Sequence, residues 1–454
     1  MATDLSEQGW VYGPYIDTDE SINTGVVKRN TNLRQGPSSS QPIVRMLQAD
    51  EPFSLVNIVK SNNYYHVKTA QSEDGWAYAP NITITNTTPP PPPTTDPTPF
   101  IDAHEGPTPG WTGPVFKLSQ DYPATLPSPG AQPWKNFDFK TQSSQYLKAV
   151  LDYCMEGNLG ADWVVQNNAV RKWYHAPWLD RTNNGREFVH GLTLERSSSP
   201  RTLHPNQSST FRNFAVGIYN PIAGYVIGQV WKDHENPDPT AARFPDGSVA
   251  CKLLFTAATV AQVPYLHDSF EWDAFVAPPG SNTRSMATVR LLQIDIAVRD
   301  SRADATTGWV FGTFAYDGDA AGATPWDRMT PIGLMWGNDP ALTQAAYDSG
   351  ARPQESTIPN RVVGITQHLG WLERLNGPVD NPVSSCLSCH STAQYVAPAS
   401  ALPTASMSAA QKMRYFRNIK AGNPFDTGQA ALDYSLQLSL GIKNFYDSRG
   451  APVR

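Results

Sequence analysis

The residues best suited to chemistry in this sequence lie in one short run, Cys386 to His390, which reads Cys-Leu-Ser-Cys-His. On a helical turn, two cysteines three positions apart present their sulfurs on the same side, and the histidine follows directly. Such sulfurs can form thioethers with the two vinyl groups of a haem, while the imidazole binds its iron. We therefore predict that Cys386, Cys389 and His390 bind haem c, with His390 as the metal ligand.

Three other interpretations of these two cysteines stay open at this point. They can close a short disulfide, or act as a redox pair, although no β-α-β pattern surrounds them. They can also supply half of a zinc site, but neither a second Cys-x-x-Cys nor a nearby histidine pair completes four ligands. The other two cysteines, Cys154 and Cys251, are far apart in the sequence, and a small buried residue is a commoner role for such cysteines than a disulfide.

The sixth ligand of a haem iron is not identified by the sequence. Met407 and Met413 follow the motif and His368 precedes it, yet a structural role is favoured for each. A methionine ligand would suit electron transfer, and a second histidine would give bis-histidine ligation. An open position would allow small-molecule binding or peroxide chemistry, so a haem-dependent oxidoreductase activity is left open.

A second group of aromatic and titratable residues lies between residues 173 and 195. His175, Asp180, Glu187 and His190 alternate there with tryptophan, tyrosine and phenylalanine. Aromatic walls with acid–base groups can line a pocket. A buried aromatic cluster with hydrogen-bonded polar ends explains the same pattern, and it is the favoured interpretation.

The composition indicates what kind of fold must position these residues. Of 454 residues, 40 are proline, 13 are tryptophan and only 17% are charged. Many prolines and aromatics with few charges favour a mainly β, loop-rich chain. The net charge of −6 argues against a nucleic-acid partner, which needs a basic surface. No run of about eighteen apolar residues occurs, so no transmembrane segment is expected.

Residues 20–82 read as a small β-barrel, because short alternating runs are separated by polar, glycine and proline turns. Residues 32–37, Asn-Leu-Arg-Gln-Gly-Pro, form one such turn. An aromatic strand ends in Val67-Lys68, and a Gly75-Trp76 strand follows it. In these features the segment resembles the bacterial SH3 (SH3b) family. The resemblance implies an SH3-like barrel that binds a peptide or peptidoglycan rather than a catalytic domain.

Residues 83–99 are rich in proline and threonine, and residues 89–93 are consecutive prolines. Consecutive prolines favour an extended polyproline II conformation without a core of its own. We interpret this segment as a semi-rigid linker between two folded parts, and a ligand for an SH3-type groove is the less favoured alternative.

Residues 100–375 are predicted to form a larger, β-sandwich-like domain, preceded by a helix over residues 144–155. Two alternating runs, 214–218 and 225–231, flank a turn and predict a hairpin. Further strands are predicted at residues 249–255, 288–298, 309–316 and 332–336.

Residues 376–454 are predicted to form a helical segment that carries the Cys-x-x-Cys-His motif and packs on the β-rich domain. After residue 409 the apolar residues recur at helical spacing, which predicts two amphipathic helices. One apolar stripe contains Met413, Phe416 and Ile419, and the other contains Leu432 and Leu436.

Residues 331–339, 375–381 and 385–390 carry a second resemblance. The motif resembles that of c-type cytochromes, and the three segments together look like a poorly characterised group of exported bacterial proteins with one C-terminal Cys-x-x-Cys-His. The likeness spans most of residues 135–446. It implies a monohaem protein that is periplasmic or secreted, and it implies no known substrate. Ordinary cytochromes c differ, because they are small and helical.

These observations predict a c-type haem protein in electron transfer or haem-dependent redox chemistry, with a redox partner and an SH3b domain for targeting. The first residues of the chain lack the basic and apolar regions of a leader peptide, so cytoplasmic synthesis with non-classical delivery is the alternative location. The alternative function is a secreted or delivered protein that binds the cell wall, or an effector, in which the motif is structural.

Overall fold

The computed structural model describes residues 24–37, 39, 41–55, 64–86, 100, 107, 111–179, 186–358, 364–365, 369–395 and 402–448. The chain divides into two compact units, residues 1–98 and 99–454. The prolines of the expected linker, residues 89–93, lie outside the described residues.

The first unit is a seven-stranded antiparallel sheet with the strand order β3-β2-β6-β5-β4-β1-β7. Its strands, β1 to β7 in chain order, are Thr24–Val27, Thr31–Arg34, Ile43–Leu47, Pro52–Leu55, Tyr64–Thr69, Asp74–Tyr78 and Ile82–Asn86. Buried side chains from all seven strands share one hydrophobic core, which contains Val27, Leu33, Leu47, Phe53, Val67, Ala77 and Ile82. The expected mainly β character is therefore confirmed for this unit.

The second unit is built on an eight-stranded antiparallel sheet. Its strands, β8 to β15, are Thr193–Ser198, Phe211–Tyr219, Val249–Thr256, Glu271–Val276, Ser285–Arg299, Trp309–Tyr316, Met329–Met335 and Ser356–Thr357. Their order is β15-β14-β13-β12-β10-β9-β8, and β11 pairs with the first half of β12. The four single strands predicted from the sequence are present, with ends that differ by a few residues.

Helical and irregular segments cover this sheet where a second sheet of a sandwich was expected. The first helix, α1 (Ser143–Met155), packs on one face, since a Cβ at Gly312 would collide with Leu147. On the other face, a Cβ at Gly217 would collide with Gln437, which belongs to the C-terminal segment. Because both faces are buried in this way, the part of the chain that the structure describes does not confirm a two-sheet sandwich.

The hairpin predicted at residues 214–231 is wrong, because its second half is a helix, α2 (Pro221–Val230). Asn220 caps this helix: its Oδ1 accepts a hydrogen bond from the Ala223 amide at 3.1 Å. Proline at the first helical position has its backbone φ already set for a helix. The alternating apolar residues were misread because α2 is apolar on nearly all sides and largely buried.

In the C-terminal segment, one of the two predicted amphipathic helices is a single turn and the other is a helix of 13 residues. The remaining elements are α3 (Gln344–Asp348), α4 (Cys386–His390), β16 (Gln394–Tyr395), α5 (Ala409–Met413), β17 (Ala430–Ala431) and α6 (Leu436–Ser448). Helix α6 corresponds to the second predicted helix, but α5 is a single turn that ends before Phe416. Gly422, Pro424 and Gly428 follow it, and such residues disfavour a longer helix. Among the residues described, none of the helices has the length and apolar character needed to cross a bilayer.

Candidate functional site

The Cys-x-x-Cys-His motif forms helix α4, which is one helical turn with a reciprocal cap at its start. Ser385 Oγ accepts a hydrogen bond from the Ser388 amide at 3.1 Å, and Ser388 Oγ accepts one from the Ser385 amide at 2.7 Å. Leu387, inside the turn, is fully buried in the main core. The turn is therefore fixed both by hydrogen bonds and by packing.

The three segments singled out in the sequence meet at this turn. Ser385 Oγ donates to Asn338 Oδ1 at 3.2 Å, and the Cys386 amide donates to the Leu375 carbonyl at 3.2 Å. The buried guanidinium of Arg374 donates to the Asn338 carbonyl at 2.9 Å and to two further carbonyls of the same loop. Residues 331–339 and 375–381 thus provide the scaffold that holds the motif.

His390 has a defined tautomer, because its Nδ1 lies 2.9 Å from the carbonyl oxygen of Tyr434. A carbonyl oxygen only accepts, so Nδ1 carries the proton and Nε2 keeps a lone pair. Removal from water lowers the pKa of His390 to about 4, and the ring is neutral at pH 7. Neutral imidazole with Nδ1–H bonded to a carbonyl is the form in which histidine binds a metal through Nε2.

The backbone that presents this carbonyl is held in an uncommon conformation. Asp433 and Tyr434 have φ values of 45° and 67°, in the left-handed region that side chains other than glycine rarely adopt. The Asp433 carboxylate accepts hydrogen bonds from the amides of Phe244 and Gly422 and from Trp309 Nε1, at 2.8 to 3.1 Å. These bonds compensate for the strain and fix the position of the Tyr434 carbonyl.

An open cleft lies beside His390. Ala250 and Ala297 are paired on the neighbouring strands β10 and β12, and their small side chains leave room above the sheet. Five aromatic side chains contribute to the walls: Tyr219, Phe244, Trp309, Phe311 and Tyr434. The His390 and Phe311 ring centroids are 4.7 Å apart.

Two polar features of the cleft were not found from the sequence. Gln437 Oε1 is buried and lacks a hydrogen-bond partner within the described residues. Lys252 and Asp295 form an ion pair at 3.2 Å along the same wall. A signal for the ion pair existed, because Lys252 and Asp295 each have apolar residues on both sides in the sequence of their strands.

The cysteines of the motif are partly exposed and free. Burial raises the pKa of Cys389 to about 12 and raises that of Cys386 well above its usual range, so both sulfurs are neutral at pH 7. A reactive thiol needs a thiolate, so these raised pKa values disfavour a redox-active cysteine pair. Cys386 Sγ lies 3.7 Å from Thr313 Oγ1, and neither cysteine lines the cleft.

Other candidate ligands fall in structural positions or outside the described residues. Within the described ranges, no three His, Cys, Asp or Glu side chains are grouped so as to hold a metal ion. Met407 and Met413 pack against a small core around Phe416, in agreement with the structural role favoured for them. His368 lies outside the described residues. Cys154 and Cys251 are buried free thiols.

The second group of titratable residues is used for internal hydrogen bonding. His175 Nδ1 accepts from the Ser119 amide at 2.9 Å, and buried Glu187 accepts from several backbone amides. The His190 ring stacks on Trp272 with the ring centroids 4.2 Å apart. The favoured interpretation as a buried aromatic cluster therefore agrees with these contacts, and Asp180 lies outside the described residues.

Comparison with known proteins assigns no family to the chain. No family model matches the sequence. No curated protein is significantly similar to it. The function must therefore be judged from the geometry of the site.

Proposed function

We propose that this protein is a c-type haem protein that acts in electron transfer or haem-dependent redox chemistry. The observation that carries the proposal is the hydrogen bond from His390 Nδ1 to the Tyr434 carbonyl, which leaves Nε2 available as a ligand. His390 lies on the same helical turn as Cys386 and Cys389.

In this proposal the haem is covalently attached at α4. Cys386 and Cys389 would hold it through thioethers, and His390 would be its axial ligand. The aromatic side chains beside His390 offer the apolar contact that a macrocycle needs, and the unpaired Gln437 Oε1 can accept a hydrogen bond from a bound group. The haem would supply a one-electron redox couple. The protein would hold the haem in place, provide a ligand for its iron and exclude water from it.

We also propose that the first unit is an SH3-like barrel used for targeting. A single core shared by all seven strands supports a closed or nearly closed sheet. A peptide or peptidoglycan ligand and a periplasmic or secreted location are parts of the same proposal. The larger domain would then present the haem to a redox partner.

The test is expression of the full chain with a c-type haem attachment system, followed by a pyridine haemochrome spectrum and a haem stain on a denaturing gel. We expect covalent haem in the native sequence and none in the Cys386→Ala/Cys389→Ala variant. The matched control, Cys154→Ala/Cys251→Ala, removes two thiols outside the motif and should keep the haem. A native protein that carries no covalent haem under these conditions would contradict the proposal.

The second candidate is a cell-wall-binding or effector protein in which α4 is structural. It is favoured by the hydrogen bonds of Ser385 and Cys386 to the surrounding loops, which fix the turn without any ligand. Binding of the full chain to purified peptidoglycan can be measured by co-sedimentation. Host-cell toxicity or wall binding that is unchanged in the Cys386→Ala/Cys389→Ala variant, combined with absence of haem from the native protein, would establish this candidate over the first.

A further inference from the structure

A network of charged and polar side chains lies next to helix α4. Gln293, which is fully buried, joins two carboxylates: its Nε2 lies 2.8 Å from Asp295 Oδ1 and 3.1 Å from Asp380 Oδ2. Lys252 Nζ lies 3.2 Å from Asp295 Oδ2, and the Gly377 amide donates to Asp380 Oδ2 at 2.9 Å. The network therefore groups two carboxylates and one ammonium group, all three partly exposed, around the buried amide of Gln293.

This network is directly connected to the motif. Thr313 Oγ1 donates to Asp295 Oδ1 at 2.9 Å and lies 3.7 Å from Cys386 Sγ. Lys252 and Asp295 also line the cleft that contains His390. Charges interact more strongly across protein than across water, so a change of charge at His390 acts on these groups.

The network carries an excess of acidic groups. Asp380 is faced by Glu195, Asp295 and Lys252 from the sheet. From helix α4 it is faced by the two neutral cysteines. Arg196 donates to the Asp380 carbonyl at 3.1 Å, and its charge also acts on Asp380. His390 is neutral and senses Lys252 and Asp295.

The consequence of this crowding is that one carboxyl group titrates close to neutral pH. Removal from water, together with the nearby charge of Asp295, raises the pKa of Asp380 to about 6. Burial lowers the pKa of Lys252, but the negative charges of Glu195, Asp295 and Asp380 have a larger effect in the opposite direction, so the pKa is raised. Lys252 therefore stays charged, and Asp380 is the group that can gain or lose a proton.

We infer that Asp380 is a positioning residue that exchanges a proton with water when the charge at His390 changes, and this inference rests on the proposed function. Loss of one electron from the site to an external oxidant such as ferricyanide adds one positive charge near the network. Asp380 then releases one proton to water, and one-electron reduction reverses both transfers. The excess of carboxylates stabilises the oxidised state.

The test is the midpoint potential of the haem-loaded full chain between pH 4 and pH 9. For the native protein the potential should fall as pH rises around pH 5 to 7, toward the limit of 59 mV per pH unit for one proton and one electron. In Asp380→Asn the slope in this range should disappear. Above pH 7 the midpoint potential of Asp380→Asn should be about 59 mV higher than that of the native protein, which is a tenfold change in the redox equilibrium. Near pH 4 the two potentials should be nearly equal.

Three variants separate this effect from a structural disturbance. Asp380→Glu keeps the titrating group and should keep the slope. Asp121→Asn removes an equal charge from an exposed position and should leave the potential unchanged. Lys252→Met removes a positive charge and should lower the potential, in the direction opposite to Asp380→Asn. Disturbed packing alone would not give opposite signs.

A measurement on the haem-free protein gives an independent readout. In the full-length Cys386→Ala/Cys389→Ala variant, NMR of 13C-labelled aspartate should show Asp380 titrating near pH 6. Titration below pH 4.5, or a native slope retained in Asp380→Asn, would overturn the inference while leaving haem attachment intact. Absence of covalent haem from the native protein would overturn the proposed function and this inference with it.

Discussion

Two histidines of the second unit, the half-buried His390 and the buried His175, show how the same residue serves different purposes. Burial lowers the pKa of each to about 4, so both rings are neutral at pH 7. His175 Nδ1 accepts from the Ser119 amide, whereas His390 Nδ1 donates to the Tyr434 carbonyl. The lone pair of His175 is therefore used inside the protein, and the lone pair of His390 remains available. The tautomer, not the pKa, distinguishes a candidate ligand from a structural histidine.

Removing each histidine gives the largest expected contrast. His390→Ala should abolish axial ligation by the protein, which a change in the visible and magnetic circular dichroism spectra would report. His175→Ala should leave those spectra unchanged but destabilise the fold by about 2–4 kcal/mol, because it creates a cavity and leaves the Ser119 amide unpaired. Denaturant unfolding measures this loss. Equal spectral effects in the two variants would remove the distinction between them.

Acid should destabilise the protein through His175. Its folded pKa of about 4 lies below the unfolded value near 6.5, so the unfolded chain binds more protons between these values. The stability present above pH 6.5 is lost as pH falls toward 4, by about 3 kcal/mol for this group. Unfolding free energies measured from pH 4 to 7 should have a smaller slope in His175→Gln. An unchanged slope would show that His175 does not titrate as its burial implies.

Narrowing the cleft should weaken contact with a planar group next to His390. In the haem-free Cys386→Ala/Cys389→Ala background, the added Ala297→Leu substitution should reduce the affinity for haemin about tenfold, since overpacking costs about 1–3 kcal/mol. Ala287→Leu is the matched control on the same strand and lies outside the cleft lining. Soret titrations measure both affinities, and equal effects would place haemin elsewhere.

The smallest expected effect concerns two similar helix caps, at α4 and α5. Ser385 and Ser408 each take part in a reciprocal cap, but Ser385 also donates to Asn338. Either change to alanine should cost about 1 kcal/mol of unfolding free energy. Ser385→Ala alone should also shift the spectrum of the attached haem, because only its turn carries His390. A spectral shift in Ser408→Ala would show that the caps do not act locally.

Local sequence signals predicted the strands well, because a half-buried strand needs alternation over a few residues. The α2 helix was missed because a fully buried helix lacks the polar stripe that reveals its period. The motif itself was visible in five residues, but its partners were not. Tyr434 and Lys252 reach the site through the packing of distant segments, and this packing leaves only weak traces such as a charge within an apolar strand.

The left-handed backbone at Tyr434 has a consequence for the order of assembly. Its carbonyl, which fixes the His390 tautomer, lies 44 residues after that histidine in the chain. During synthesis the cysteines and the imidazole are therefore present well before the group that orients the ring. The hydrogen bond that sets the tautomer of His390 therefore forms only after a later segment has folded back onto the motif.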